Sequence, residues 1–416
     1  MKKFLSIALI LVLMLGVFAA CGNSAKDTED ENNVPNNEAV GDLPDEGNET
    51  VSGDTIKIGM IGCHTGDYAQ YGLGVKNGAT LYIDELNANG GINGKQVEIV
   101  AYDNKGNNQE AITAFNRAVD EGITALIGDV LTGNTIAVVG EAYPLNLPMI
   151  TPSATAATVT YDDETDTVYG NVFRTCFIDP FQGEKMAEYA SEVLSAKTAA
   201  ILFETGNDYS VGLKDAFVAK CAELDVEIVS QEGYATGDKD FKSQLTTISS
   251  KNPDVLFCPN YYEDDGLIIT QAREVGFKGI VLGGDGMSGV TGYASSEVLE
   301  GTLYVSGYAP GSTDAVKAFE AAYTEKYGAE TLNMFAATAY DAAIVMCNAL
   351  AVAEEAGLEA GTDEYKQAVI DAIRDNSAEL ECITSSGYAF DEYNNPVKDA
   401  VIMKVEDGEE VFVEIF

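Results

Sequence analysis

The chain has 416 residues, of which 46% are hydrophobic and 22% are charged. This length exceeds what one hydrophobic core usually covers, so two or more domain-sized bodies are expected. Acidic residues outnumber basic residues by 67 to 24, which gives a formal net charge of −43. Nucleic acid and anionic membrane surfaces repel so acidic a protein, and we exclude both as direct partners.

Residues for the commonest catalytic and metal chemistry are scarce. The chain has one histidine, His64, which nearly excludes a histidine-based triad or a site with several histidine ligands. None of the seven cysteines forms a CxxC pair, and most of those after Cys21 lie in apolar runs typical of core positions. We expect no metal, no cofactor and no enzymatic activity, and the sequence leaves disulfides undecided.

The N-terminus predicts an exported protein. Two lysines precede an apolar run at residues 4–20, and two alanines lead into Cys21. The segment resembles a bacterial lipoprotein signal, in which Cys21 becomes the lipidated first residue, although Phe18 stands where Leu or Val is usual. The alternative is a transmembrane anchor, for which the run is short. We predict a signal peptide at residues 1–20.

The segment that follows predicts a tether. Residues 22–54 contain ten acidic residues, one lysine and no aromatic residue. Such a segment buries too little apolar surface to offset the entropy lost on ordering. Removing the two lysines of the signal leaves 22 basic residues against 67 acidic ones and moves the formal charge from −43 to −45. Attachment to the membrane is therefore expected through lipid on Cys21, with residues 21–54 as a disordered acidic linker.

Strand and helix patterns alternate from residue 55 onward. The run TIKIGMIG (55–62) is typical of a buried strand, and Val75, Ala79, Ile83 and Leu86 have helical spacing. Further strands are predicted at 96–104, 123–129 and 148–151, and helices at 108–121 and 134–145. This alternation predicts a parallel sheet covered by helices on both faces.

The alternation then restarts, so a second unit of the same class is predicted. Helices are expected near 182–195, 211–224, 241–251 and 266–276, and strands at 198–204, 226–234, 254–260 and 279–286. After residue 301 the pattern predicts a strand at 302–307, helices at 314–328 and 334–357, and short strands near 387–392, 399–408 and 409–416. Two such units imply two doubly wound bodies with a cleft between them.

The stretch PMITPSATAATVT (148–160) is a strand that ends in small hydroxyl residues. Serine and threonine are common caps and turn residues, which is one interpretation. The other is that Ser153 and Thr155, with nearby backbone N–H groups, form a donor cluster at the carboxyl end of a strand, where open α/β sheets bind ligands. The pattern alone does not decide between them.

Several motifs together resemble a known family, the leucine/isoleucine/valine-binding proteins, which are type I periplasmic solute-binding proteins of ABC importers. The resemblance covers about residues 57–392. It is carried by TGDYAQYG (65–72), ELNANGGINGK (85–95), YDN (102–104), ALIGDVLTGNT (125–135), MITPSATA (149–156) and GDKDF (237–241).

The resemblance implies an α/β fold of two doubly wound parallel-sheet lobes joined by three hinge crossovers, near Arg174, Ser306 and Ser385. Lobe 1 would comprise 55–174 and 306–384, and lobe 2 would comprise 175–305 and 385–416. Ligand would be held between the lobes, which close by a hinge.

The resemblance also implies the contacts to an amino acid's head group. Thr132, the main chain at Ser153 and Ala154, and the hydroxyl of Thr155 match the family's contacts; for Thr132 alone, a helix N-cap is the alternative. For the ammonium group, Asp285 stands where the branched-chain binders usually carry Glu.

Further residues are implied for closing the site and for selectivity. Tyr209 and Tyr261 match tyrosines that close over the ligand, although an isolated tyrosine is often a core residue. Side-chain selectivity would fall to Cys63, Tyr68, Tyr71 and Phe335. A disulfide of the family is lost because its positions hold Gly106 and Leu131, and Leu131 is expected to extend the apolar wall.

The function implied is that of a monomeric lipoprotein outside the cytoplasm. It would capture an amino acid, branched-chain or otherwise apolar, and deliver it to an ABC permease. The alternatives are a sensing lipoprotein, or an importer component for short amides, urea or small peptides. A dinucleotide fingerprint at residues 72–78 is disfavoured because roughly ten residues separate it from the strand that it should follow directly. An enzyme using the plentiful carboxylates is a further alternative.

Overall fold

The computed structural model describes residues 55–416, and the predicted signal, Cys21 and the acidic tether lie outside the described residues. Within that range strands and helices alternate along most of the chain. The main strands are β1 (Ile56–Gly62), β2 (Val97–Asp103), β3 (Ala125–Gly128), β4 (Met149–Thr151), β5 (Tyr161–Asp162), β6 (Thr167–Val168), β7 (Val172–Arg174), β8 (Thr198–Glu204), β9 (Glu227–Tyr234), β10 (Val255–Cys258), β11 (Ile280–Gly283), β12 (Leu303–Ser306), β13 (Val401–Glu406) and β14 (Glu409–Ile415). The helices are α1 (Ala69–Ala88), α2 (Asn108–Asp120), α3 (Thr132–Ala142), α4 (Asp179–Glu188), α5 (Asp208–Glu223), α6 (Lys242–Lys251), α7 (Tyr262–Glu274), α8 (Ser296–Leu299), α9 (Asp314–Tyr327), α10 (Met334–Glu355) and α11 (Asp363–Asn376).

The first sheet has five strands in the order β2-β1-β3-β4-β7, and every neighbouring pair is parallel. Its central strands are short apolar runs, and all four residues of β3 are buried. Parallel strands need a crossover between them, which is why helices intervene in the sequence. Helix α1 packs along α10, and α10 packs against α11. We call this sheet with its helices α1 to α3 and α9 to α11 lobe 1.

The second sheet has seven strands in the order β14-β13-β12-β11-β10-β8-β9. It is parallel from β9 to β12, and the two C-terminal strands are added antiparallel at one edge. We call this sheet with helices α4 to α8 lobe 2. The chain passes between the sheets three times, through residues 175–178, 307–313 and 377–400. This topology confirms the predicted class, two doubly wound parallel sheets with crossovers; the residue bounds proposed for the lobes stay a prediction.

Local departures from the predicted elements have local causes. The helix predicted at 182–195 begins at Asp179, where Pro180 occupies the first turn, and its end is a π-helical turn at Tyr189–Val193. The strand predicted at 387–392 is wrong: it contains only an isolated bridge from Phe390 to Pro396, because this crossover segment has no neighbouring strand to pair with. Helix α11 was not predicted, although Thr362 caps it by accepting from the Tyr365 amide.

Among residues 55–416, one helix is long and apolar enough to cross a membrane by length and composition. This is α10, and 78% of its most apolar window is buried inside the fold. Its small residues, including Ala336 and Ala343, are buried, and a side chain at Gly78 of α1 would collide with the Ala336 backbone. Helix α10 is therefore the core helix of lobe 1.

Candidate functional site

The loops that follow β3 and β4 in lobe 1 meet the loops that follow β10 and β11 in lobe 2. A cavity of about 10 Å³ lies where they meet. Its lining comprises Tyr71, Val130, Leu131, Thr132, Ser153, Tyr209, Tyr261, Asp285, Gly286 and Phe335. The position, at the carboxyl ends of parallel strands, is where open α/β folds bind ligands.

Most of the residues predicted for the site line this cavity. Those that do are Tyr71, Leu131, Thr132, Ser153, Tyr209, Tyr261, Asp285 and Phe335. Four others, Cys63, Tyr68, Ala154 and Thr155, are not part of the lining. Val130 and Gly286 line the cavity without having been predicted, and each is the direct chain neighbour of a predicted residue.

One end of the cavity is the start of helix α3. The N-cap is Leu131, in an extended conformation, and Thr132 is the first helical residue and is buried. The alternative that Thr132 is the N-cap is therefore wrong, because the helix begins one residue earlier than an N-cap at Thr132 requires. The first N–H groups of a helix have no intrahelical acceptor and carry partial positive charge. This end of the cavity suits an anionic group.

The hydroxyl residues after β4 have different partners. Ser153 donates its hydroxyl to the Val130 carbonyl at 2.7 Å, which joins the two loops. The Thr155 amide donates to the Thr132 hydroxyl at 3.4 Å, whereas the Thr155 Oγ1 is buried with no protein partner. Ser153 therefore shapes the loop, and Thr155 keeps a hydroxyl for another partner.

Arg174, at the end of β7, fixes this loop from behind. Its buried guanidinium donates to the carbonyls of Ala154 at 2.9 Å and Ala156 at 3.0 Å, and to the Thr160 hydroxyl at 3.0 Å. Burial lowers the pKa of Arg174. Arg174 was predicted only to lie near a crossover, but its side chain also holds the loop that carries Thr155.

The opposite end of the cavity is acidic. Asp285 is 1% exposed, and its Oδ2 has no protein partner. Burial raises the pKa of Asp285 to about 7. The Asp285 amide donates to Gln182 Oε1 at 2.9 Å, and the Gly286 amide donates to the Tyr209 hydroxyl at 2.8 Å. These bonds fix the main chain that carries the Asp285 carboxylate.

A second carboxylate, Asp179, accompanies Asp285 and was missed. It begins α4, is 1% exposed, and neither carboxylate oxygen has a protein partner. Burial raises its pKa well above the ordinary range, and the nearby charge of Asp285 adds to this. Its amide donates to the Thr155 carbonyl at 2.9 Å, so it lies next to the hydroxyl loop. The Asp-Pro pair at a helix start was the available signal, but it is common in helices without a ligand.

Tyrosines from both lobes hold the site closed. The Tyr71 hydroxyl of lobe 1 donates to the Gly286 carbonyl and accepts from the Tyr262 amide. In return, the Tyr262 hydroxyl of lobe 2 donates to the Asp67 carbonyl at 2.8 Å and accepts from the Gln70 amide at 3.3 Å. The two rings lie 4.4 Å apart. Each tyrosine therefore bonds the backbone of the opposite lobe.

The cavity is small because aromatic rings fill the cleft. Tyr209 stacks on Tyr261 at 5.0 Å, and Phe335 packs edge-on against Tyr71 at 4.9 Å. A cavity of about 10 Å³ has room for roughly one water molecule. Any larger ligand therefore requires the lobes to part and these rings to shift.

Some of the residues predicted to select the ligand side chain line the cavity. Tyr71, Leu131 and Phe335 do so, whereas Cys63 and Tyr68 do not. A side chain on Gly106 would come within 3.3 Å of the Leu131 methyl, so the two positions at which the resemblance implied a lost disulfide are neighbours.

The cysteines and the histidine take no part in the cavity lining. The six cysteines of the described range are all free, and the Cys63 thiol donates to the Tyr68 carbonyl at 3.3 Å. His64 also lies outside the lining, and burial lowers its pKa to about 4. Within residues 55–416 no group of His, Cys, Asp and Glu is arranged to hold a metal ion.

The fold and the site define a two-lobed binding protein with a cavity between its lobes. A model of the periplasmic binding protein family matches residues 55–410. The chain belongs to the periplasmic binding protein family, which is a family of transport binding proteins that act outside the cytoplasm.

Similar proteins share most of the chain. It is 33% identical to the Leu/Ile/Val-binding protein BraC3 of Rhizobium johnstonii over 323 residues, which are 77% of this chain and 83% of that one. The crystal structure of the leucine-binding protein LivK of Thermotoga maritima is 32% identical, with a TM-score of 0.78, covering 87% of this chain and 99% of that one. The Streptococcus pneumoniae substrate-binding protein LivJ, in complex with isoleucine, has the same TM-score of 0.78, identity of 32% and coverage of 87% and 99%.

Proposed function

We propose that this protein binds a free α-amino acid between its lobes and passes it to an ABC permease. The observation that carries the proposal is the arrangement of opposite chemistries in one inter-lobe cavity. Thr132 at the start of helix α3 lines the cavity from lobe 1, and Asp285 lines it from lobe 2. The buried Thr155 hydroxyl and the Asp179 carboxylate lie beside this lining, next to Thr132 and Asp285 respectively. An amino acid offers a carboxylate to the first group and an ammonium to the second.

The cargo is an apolar amino acid, branched-chain by preference. Leu131, Val130 and Phe335 form the wall beyond the head group, and Tyr71 closes it. Charge-assisted hydrogen bonds contribute about 1.5 to 3 kcal/mol each, whereas micromolar binding requires about 8 kcal/mol. Apolar burial of the ligand side chain must supply a large share of the remainder. Relatives named for leucine, isoleucine and valine support this choice.

We further propose that the mature protein is a monomeric lipoprotein attached to the membrane through Cys21. The sequence of residues 1–54 supports this, since a short apolar leader ends at a cysteine and an acidic segment follows. A tether of this composition lets the two-lobed body reach a permease in the same membrane. Urea and short amides are disfavoured as cargo, because they would leave Asp285 and Asp179 buried without a cation.

A thermal-shift screen of the twenty common amino acids tests the function. A ligand that binds only the folded protein raises its melting temperature, and we expect leucine, isoleucine or valine to give the largest increase. Urea and acetamide serve as neutral controls. Recovered ligand should be chemically unchanged, as for a binding protein. A screen in which no amino acid raises the melting temperature, or in which the amides match the amino acids, would contradict the proposal.

The affinity for the amino acid should depend on pH. Pairing with the ammonium group requires an ionised carboxylate, and the pKa of Asp285 before binding is raised to about 7. Binding near neutral pH should therefore release a proton, and affinity should fall as pH drops below 7. We expect binding at pH 5.5 to be at least about 30-fold weaker than at pH 8.5, because Asp179, whose pKa is also raised, adds to the effect of Asp285. Calorimetry in buffers of different ionisation enthalpy measures both the affinity and the proton release. An affinity that stays constant over this range would rule out Asp285 as the partner of the ammonium.

A further inference from the structure

A second and larger cavity, of about 460 Å³, also lies between the lobes. It shares no lining residue with the cavity of the amino-acid site. Its walls come from α9 and the start of α10 in lobe 1, and from β12 to β14 and the loop after β11 in lobe 2. Small-molecule sites in proteins commonly have volumes of roughly 300 to 1,000 Å³. The cavity is therefore large enough for a ligand of its own.

All the charged side chains that line the second cavity are acidic. Four carboxylates line the cavity, Glu320 and Glu330 from lobe 1 and Glu409 and Glu410 from lobe 2. No lysine, arginine or histidine side chain belongs to the lining. Carboxylates that face each other across a cavity without a basic residue create a negative potential, which attracts a cation.

The carboxylate of lobe 1 is held in a fixed position. Glu320 Oε1 accepts from the buried Tyr308 hydroxyl at 2.5 Å and from the Gly311 amide at 2.9 Å. Both partners belong to the crossover between β12 and α9. These bonds use one oxygen of Glu320 and orient the side chain before any ligand arrives.

The carboxylate of lobe 2 is held in a similar way. Glu410 accepts from the Gly289 amide at 2.9 Å, from the Thr291 hydroxyl at 3.2 Å and from the Tyr304 hydroxyl at 2.6 Å. Burial raises the pKa of Glu410, and no basic side chain of the lining offsets its charge. Each lobe therefore presents one preorganised carboxylate, and both line the same cavity.

The rest of the lining favours an organic cation over a bare metal ion. Tyr304 and Tyr308 are buried and line the cavity, as do the thioethers of Met334 and Met403. Aromatic faces attract ammonium groups, and methionine adapts to apolar ligand surfaces. A hard metal ion would instead require six or more oxygen ligands.

We propose that this second inter-lobe cavity binds a small alkylammonium compound, with its charge between Glu320 and Glu410 and its apolar groups against Tyr304 and Tyr308. The site shares no lining residue with the amino-acid site and does not rest on the function proposed above. Its two anchoring carboxylates belong to different lobes.

Choline is the test ligand, and 3,3-dimethylbutan-1-ol is its neutral counterpart of the same shape. Calorimetry on the full chain should detect choline binding and no binding of the neutral alcohol at the same concentration. Choline and the best amino acid of the thermal-shift screen should bind at the same time, which places choline outside the amino-acid site. Absence of choline binding, equal binding of the alcohol, or competition between choline and the amino acid would overturn the proposal.

Charge-neutral variants locate the site. Glu320→Gln and Glu410→Gln should each weaken choline binding by roughly tenfold or more, because each removes a charge-assisted contact. Glu325→Gln is the matched control: Glu325 lies on the same helix as Glu320, is exposed and does not line the cavity. It should bind choline like the wild type. Equal losses in Glu320→Gln and Glu325→Gln would show only a general effect of net charge and overturn the assignment. If a glutamine variant fails to fold, the comparison of choline with the neutral alcohol on the wild-type protein still tests whether the cavity binds a cation.

Discussion

Asp285→Ala is expected to abolish amino-acid binding and leave the fold intact. The substitution removes a buried carboxylate whose Oδ2 has no protein partner and which is held at the cavity by its chain neighbours. Charge-assisted contacts to a buried ammonium are among the strongest in proteins, so we expect affinity to fall by roughly 100-fold or more. Calorimetry with the best amino acid of the thermal-shift screen measures the loss.

The matched control is Asp215→Ala. Asp215 lies on α5 of the same lobe, with its side chain 65% exposed. Its removal changes the net charge equally but should leave the affinity unchanged. The melting temperature of Asp285→Ala should stay at or above that of the wild type, since a carboxyl group whose pKa is raised by burial does not stabilise the fold at neutral pH. Wild-type affinity in Asp285→Ala would refute the role of this residue.

Asp179→Asn should change binding and stability in opposite directions. Loss of the charge should weaken amino-acid binding by roughly tenfold or more, because the ammonium then has one carboxylate instead of two. The melting temperature should rise. The pKa of Asp179 is raised in the folded protein, chiefly by burial, so the carboxyl group destabilises the fold progressively as pH rises from its ordinary pKa to the raised value. Asparagine removes this cost.

The dependence on pH distinguishes this explanation from a packing effect. The gain in melting temperature should be small near pH 3, where the carboxyl group is mostly protonated in both the folded and the unfolded state, and larger at pH 8. Asp215→Asn, at the exposed position on α5, should show neither effect. A gain of equal size at both pH values would mean that asparagine merely packs better, and unchanged amino-acid affinity would remove Asp179 from the site.

The candidate site was predicted where the signal lay in a local motif. Thr132, Ser153 and Asp285 each follow a strand closely in the sequence, and all three line the same cavity. The residues that were missed depend on distant contacts. Asp179 lies at a helix start of ordinary composition, and Gln182 reaches the Asp285 amide across 103 positions of the chain. A motif cannot reveal such a partner, because the contact exists only after the chain has crossed between the sheets.

The secondary-structure elements show the same difference between local signals and distant contacts. Helix α10 and strands β1 and β8 were predicted well because their apolar periodicity is a local property of the chain. The segment at 387–392 has a strand-like composition but forms no strand, since strand formation requires a neighbour that this crossover lacks. Helix α11 shows the reverse case, in which a short amphipathic segment is helical in the context of α10.

The sequence by itself determined the acidic character, the alternation of strands and helices, and the hydroxyl and carboxylate residues at the strand ends. These are compositional and short-range properties. Only the tertiary structure decided that Asp179 joins Asp285, that Tyr71 and Tyr262 bond the opposite lobes, and that Glu320 and Glu410 face one cavity. The physical reason is that each of these arrangements joins segments that are far apart in the sequence and are brought together by the three crossovers. No local pattern of residues encodes a contact between such segments.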